Sequence, residues 1–122
     1  MADRPTISVI IPTRDRPLFL TEALRSVLAQ HLRPDQVIVV DDGGAGEARR
    51  IADLVGASDS VATAVVEGPG RGPGAARNAG LRAAKGELVA FLDDAFCHLR
   101  IPLCILANHK KGGSYACLLK RV

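Results

Sequence analysis

The sequence predicts an α/β fold, a parallel sheet packed in three layers, and three observations predict it. Short apolar, β-branched runs recur through residues 1–94, apolar positions at helical spacing lie between them, and polar clusters follow the runs immediately. Strands that are apolar on both faces belong to sheets covered by helices on both sides.

Ile7-Ser8-Val9-Ile10-Ile11 reads as the first buried strand, stopped by Pro12. Pro17 suits a first helical position, and Leu20, Ala23, Leu24, Val27 and Leu28 then recur at the spacing of one helix face. Pro34 closes that unit. A second strand over 36–40 holds Val37-Ile38-Val39-Val40, cut off by Asp41-Asp42-Gly43-Gly44. Ala48, Ile51, Ala52 and Val55 predict a second helix ending near Gly56. Val61 to Val66 is a third strand, diluted by Ala and Thr. The loop Gly68-Pro69-Gly70-Arg71-Gly72-Pro73-Gly74 leads into a helix from Ala75 to Lys85, and Glu87 to Leu92 forms the fourth strand. Past Ala95 the alternation stops: Ile101 to Ala107 is apolar but split by Pro102, and Lys110-Lys111-Gly112-Gly113 reads as a turn.

With 122 residues the chain has room for one small domain, and 48% hydrophobic with 24% charged residues excludes disorder by composition. No apolar run approaches the roughly 18 residues of a membrane span. The start Met1-Ala2-Asp3-Arg4-Pro5 lacks the basic-then-apolar pattern of a secretion signal, so a cytoplasmic location is expected. A net charge of +3 with 3% aromatics gives no basic stacking platform, so nucleic acid is not an expected partner.

Charge and cysteine divide the chain at the same place. Residues 1–94 carry 11 basic and 13 acidic side chains, a net of −2, whereas residues 95–122 carry 5 basic and no acidic ones. Cys97, Cys104 and Cys117 all fall in the tail, with no CxxC pair, and read as reduced thiols. A metal cluster with His98 and His109 is the alternative reading of the same residues.

Pro12-Thr13-Arg14-Asp15, Asp41-Asp42-Gly43 and Asp93-Asp94 each follow a predicted strand directly. In an open parallel sheet the carboxyl ends of the strands form the ligand crevice. Carboxylates gathered there repel one another unless a cation or hydrogen-bond donors offset them, and a divalent ion bridging carboxylate and phosphate oxygens does so. The plainer reading is that such aspartates form turns and cap helices. The string Gly70-Arg71-Gly72-Pro73-Gly74-Ala75 also fits a dinucleotide-binding fingerprint between a strand and a helix. Against that fingerprint, the loop follows the third strand, and Pro73 lacks the N–H a pyrophosphate wants.

The run Ser8-Val9-Ile10-Ile11-Pro12-Thr13-Arg14-Asp15-Arg16-Pro17, with Leu20, Ala23-Leu24, Ser26-Val27 and Gln30, resembles the opening of family 2 (GT-A fold) glycosyltransferases. Val39-Val40-Asp41-Asp42-Gly43 is similar to their second-strand motif. Gly74-Ala75-Ala76-Arg77-Asn78-Ala79-Gly80-Leu81, with Ala84, Gly86 and Glu87, resembles their helix approaching the metal motif, and Ala90-Phe91-Leu92-Asp93-Asp94 resembles that acidic motif itself. The resemblance covers residues 7–94 with four motifs in order.

It implies a GT-A type, Rossmann-like sheet and a nucleotide-diphospho-sugar pocket, with a UDP-sugar as donor and a sugar or glycolipid acceptor, in cell-wall or polysaccharide synthesis. Pro12 and Thr13 would lie against the nucleoside, as would Asp15, where the family more often has Asn. Asp42 would accept a hydrogen bond from the base. Arg77 would offer positive charge near the phosphates, or a structural ion pair. Asp93 would contact the ribose, and Asp94 would ligate Mg2+ or Mn2+ on the diphosphate. The location it implies is cytoplasmic, with peripheral attachment to the inner membrane as the variant.

The departures are equally specific. Ala95 stands where the family continues with an acid, and residues 95–122 match none of its patterns. Residues 1–94 are therefore expected to be the nucleotide-binding half, and 95–122 a frame-shifted or truncated tail, or the tail of a natural short protein. On that reading no catalytic base is assigned, the isolated chain transfers no sugar, and an uncovered sheet edge invites self-association and lowers stability. A non-catalytic nucleotide-binding module and a Rossmann-like dinucleotide binder are the alternative functions.

Overall fold

The computed structural model describes residues 6–29, 34–43, 46–56, 61–92, 104–107 and 117–119. Strand β1 (Ile7–Thr13) leads to helix α1 (Pro17–Leu28), β2 (Gln36–Asp41), α2 (Glu47–Gly56), β3 (Ala62–Glu67), α3 (Pro73–Ala83) and β4 (Leu88–Phe91). Two short strands follow, β5 (Cys104–Ala107) and β6 (Cys117–Leu119). The sheet order is β3-β2-β1-β4-β5-β6. The first four strands are parallel, with Val9 opposite Val37 on one side and Ala90 on the other.

The alternation of side chains along β1 builds the three layers. Ile7, Val9 and Ile11 face α1 and α2, where they pack with Leu20, Leu24, Val27, Val37, Val39, Ala48 and Ala52. Ile10 faces the other way and packs with Ile38, Val40, Ala76 and Val89 beneath α3. The helix stripe Leu20, Ala23, Leu24 and Val27 is the buried face of α1. No helix among the described residues is long and apolar enough to cross a membrane.

Two expectations are corrected. Pro12 does not stop β1, which runs on to Thr13 with Pro12 opposite Val40. The carbonyls of Ile7 and Thr13 face β2, while those of Thr6 and Ile10 face β4. By that alternation the Pro12 nitrogen faces the β4 side, past the last β4 residue paired with β1, so its missing N–H removes no β1–β2 bond. Helix α3 starts at Pro73 and ends at Ala83, short of Lys85. The Lys85 N–H donates to Gln36 Oε1 at 3.0 Å and the Gly86 N–H to Ser8 Oγ at 2.8 Å, so the sheet's amino-terminal edge draws the chain out of the helix.

Two further strands lie beyond Ala95. Cys104–Ala107 pairs antiparallel with β4, and Cys117–Leu119 pairs antiparallel with β5. β4 is therefore not an edge strand; among the described residues the edges are β3 and β6. The predicted turn at Lys110 to Gly113 lies outside the described residues.

Strand order places the topological switch point between β1 and β4. From β1 the chain crosses through α1 and α2 on one face to β2 and β3, then returns through α3 on the other face to β4. Loops leaving adjacent strands in opposite directions open a crevice at their carboxyl ends, and the Thr13 loop stands there.

Candidate functional site

At the carboxyl edge, backbone bonds tie three strand ends together. The Asp42 N–H donates to the Thr13 carbonyl at 2.9 Å, and the Gly68 N–H donates to the Asp41 carbonyl at 2.9 Å. Asp41 then closes a turn on itself, its Oδ1 accepting the Gly43 N–H at 3.0 Å. This is the aspartate turn that lets a strand end tightly.

Between these ends and the first turns of α1 and α2 lies a cleft of about 180 Å³, lined by Thr13, Asp15, Arg16, Pro17, Leu20, Asp41, Glu47, Ala48 and Ile51. Its wall is apolar through Leu20, Ala48 and Ile51, and its polar part holds three carboxylates and one guanidinium. Glu47 also stands 3.9 Å from Arg50 across an exposed helix turn, a spacing that contributes little to stability. Asp15 has φ +50°, in the left-handed region that Asp tolerates better than most residues. It lies so close to Gly43 that a Cβ there would meet Asp15 Oδ1 at 2.7 Å.

The glycine loop meets the site from the other side. Asp42 Oδ1 accepts the Gly70 N–H at 2.7 Å, across 28 residues. Gly70 and Gly72 have φ of +71° and +98°, and both need the freedom of glycine. Gly68 is packed so tightly against Asp42 that a side chain there would collide with the carboxylate.

The structure thus brings Thr13 and Asp15 into one cleft, with half-buried Pro12 beside them in β1 and Asp42 at the neighbouring strand end. Arg77 lies apart from that cleft, exposed on α3, whose buried side covers the opposite face of the sheet. Asp93 and Asp94 lie outside the described residues, as do Cys97, His98 and His109. Among the described residues no group of three or more His, Cys, Asp or Glu is placed to hold a metal ion. The cleft residues Arg16, Asp41, Glu47 and Ile51 were not singled out from the sequence as ligand contacts. The pair Asp41-Asp42 was visible, but which of two adjacent side chains turns into a cleft depends on the strand's register.

The family model for glycosyl transferase family 2 matches residues 8–117. A Campylobacter jejuni GalNAc(5)-diNAcBac-PP-undecaprenol beta-1,3-glucosyltransferase is 33% identical over 91 residues, which are 74% of this chain and 29% of that protein. A mannosyltransferase from Pyrobaculum calidifontis, solved in complex with GDP-Man and Mn2+, superposes with a TM-score of 0.63 at 32% identity, over 75% of this chain and 28% of that one. TarS from Staphylococcus aureus in complex with UDP-GlcNAc gives a TM-score of 0.60 at 30% identity, over 73% of this chain and 26% of that one. The chain spans under a third of the length of each of these three proteins.

Proposed function

The chain belongs to glycosyl transferase family 2, and on that premise we propose that it binds a nucleotide-diphospho-sugar donor at the carboxyl ends of β1, β2 and β4. The observation that carries this reading is the gathering of Thr13, Asp15, Asp41 and Asp42 at one sheet edge beside the switch point. Thr13 and Asp15 line the nucleoside side, and Asp42 accepts an N–H from the base. A UDP-sugar is the proposed donor, supported by the UDP-GlcNAc complex of a relative; the GDP-Man complex makes guanine the second candidate.

The described carboxylates do not by themselves form a metal cage. Asp94, two residues after the end of the described run at Leu92, is the proposed ligand of Mg2+ or Mn2+, with Asp93 on the ribose. A divalent ion bound there neutralises charge on the departing diphosphate. Mn2+ accompanies the donor in the mannosyltransferase relative, which supports that choice.

The dinucleotide reading of the glycine loop loses ground on one contact. The Gly70 N–H that would face a pyrophosphate already donates to the Asp42 carboxylate, and a second anion beside it would be repelled. The matched residues span under a third of each relative compared and hold the proposed donor contacts, so the 122-residue chain alone is proposed to bind donor without transferring sugar. The separate origin of residues 95–122 is a proposal that the family match through residue 117 and the addition of β5 and β6 to the sheet both weigh against.

The test is calorimetric titration with UDP, GDP and NAD, each with and without Mn2+. Metal-dependent binding of UDP or GDP supports the proposal, and tight NAD binding without metal overturns it.

A further inference from the structure

We propose that the Gly70 N–H positions the Asp42 carboxylate, and that this bond sets which bases the site accepts. The inference rests on the nucleotide-sugar reading above and deepens it.

A carboxylate is symmetric in chemistry, so a free one rotates to present either oxygen. Asp42 is not free to do so. Its Oδ1 accepts the Gly70 N–H at 2.7 Å, within the range of a short charge-assisted bond, and Gly68 packs against the same oxygen. The loop that donates this bond is itself pinned by the Gly68 N–H on the Asp41 carbonyl. The glycines at 70 and 72 permit the positive φ angles this path needs, while Pro69 and Pro73 fix φ beside them and limit the alternatives.

Oδ2 is thereby left as a single, oriented acceptor. Among the described residues Asp42 makes no other side-chain hydrogen bond. An acceptor fixed in this way favours bases whose Watson–Crick ring nitrogen carries a hydrogen. Uracil presents N3–H and guanine N1–H, whereas cytosine N3 and adenine N1 present lone pairs. The site is therefore assigned to donors carrying uracil, thymine or guanine, and against cytosine and adenine.

The latch also makes the polarity reversible by one atom. In Asp42→Asn the amide oxygen is the only side-chain atom able to accept from Gly70. The amide NH2 must then take the place of Oδ2, turning the acceptor into a donor that suits cytosine N3. Without the latch the amide would rotate, and no inversion would follow.

The experiment titrates the 122-residue chain and its Asp42→Asn and Asp42→Ala variants with UDP and CDP in the presence of Mn2+. Amide exchange of Gly70 is followed by NMR in all three. The unmutated chain should prefer UDP by about tenfold or more, the Asn variant should prefer CDP, and the Ala variant should show neither preference. Gly70 exchange should stay slow in Asp42→Asn and become fast in Asp42→Ala. An Asn variant that still prefers UDP overturns the inference, and so does a slowly exchanging Gly70 in the Ala variant. If Asp42→Ala melts without cooperativity, the Asn variant, which keeps the latch, decides alone. An unmutated chain that binds neither nucleotide defeats the underlying reading first, a result distinguishable from binding without inversion.

Discussion

The Gly86 N–H donates to Ser8 Oγ at 2.8 Å across 78 residues, a buried bond that joins the start of β4 to the start of β1. The same hydroxyl donates to Gln36 Oε1 at 2.8 Å, and that oxygen also accepts the Lys85 N–H at 3.0 Å. Three strands and the exit of α3 are thus tied at the edge opposite the ligand cleft.

Ser8→Ala removes the hydroxyl that accepts from the Gly86 N–H and donates to Gln36 Oε1. At the usual net worth of a hydrogen bond, losing both costs about 1–3 kcal/mol. Chemical denaturation should show that loss with an unchanged slope, while UDP affinity of the remaining folded protein stays the same. A variant as stable as the parent would mean that the hydroxyl contributes nothing net.

Gly80 tests how closely α3 approaches the sheet. A Cβ at this position would lie 2.5 Å from Ile10 Cγ2 and 3.2 Å from Val40 Cγ2. Alanine gains about 1 kcal/mol in helix propensity over glycine. Against that, overpacking a filled core costs about 1–3 kcal/mol, and Ile10 is fully buried with no room to retreat. Gly80→Ala should therefore lower stability on balance. Gly74→Ala, where nothing lies within 4 Å, should be neutral or stabilising in the same thermal melts.

Asp15 combines a left-handed backbone with a carboxylate at the cleft. Asparagine tolerates that conformation as well as aspartate does, whereas a β-branched residue does not. Asp15→Asn should keep stability within about 0.5 kcal/mol, and Asp15→Val should lose about 1–2 kcal/mol. Removing one negative charge from the cleft that is proposed to take an anionic ligand should, in a water-like dielectric, tighten UDP binding about twofold. A tenfold weakening in Asp15→Asn would show instead that the carboxylate accepts a bond from the ligand.

What the sequence made legible follows from how local each signal is. β1, β2 and the buried stripe of α1 were read from runs such as Val37-Ile38-Val39-Val40, because burial on both sheet faces writes itself into consecutive residues. The end of α3 was not legible, since Ser8 and Gln36, far away in the chain, decide it. Thr13 and Asp15 were identified because they directly follow an apolar run, and the fold puts every such run's end at one edge. Ile51 was missed as a cleft residue because its helical spacing already had a structural explanation, and Glu47, at the first position of α2, belonged to no motif. The antiparallel β5 escaped because Pro102 interrupts its approach and its residues resemble no helix or strand period.

The last prediction separates binding from turnover. Sugar transfer needs donor, metal, acceptor and a general base within hydrogen-bond reach of the attacking hydroxyl. The residues this chain shares with its relatives amount to under a third of each relative compared above, and they carry the proposed donor contacts. The purified 122-residue chain should therefore bind UDP or GDP in a metal-dependent way and form no product from labelled UDP- or GDP-sugars with a panel of acceptors. Asp94→Ala should abolish the metal dependence and weaken binding by about tenfold, since a metal bridge to a diphosphate contributes several kcal/mol at most and part of the affinity resides in the nucleoside. Product that forms with the purified chain and disappears in Asp94→Ala would show that these residues suffice for transfer. Nucleotide binding indifferent to both metal and Asp94 would remove Asp94 from the site and leave Asp42 and its glycine latch as the principal donor contact.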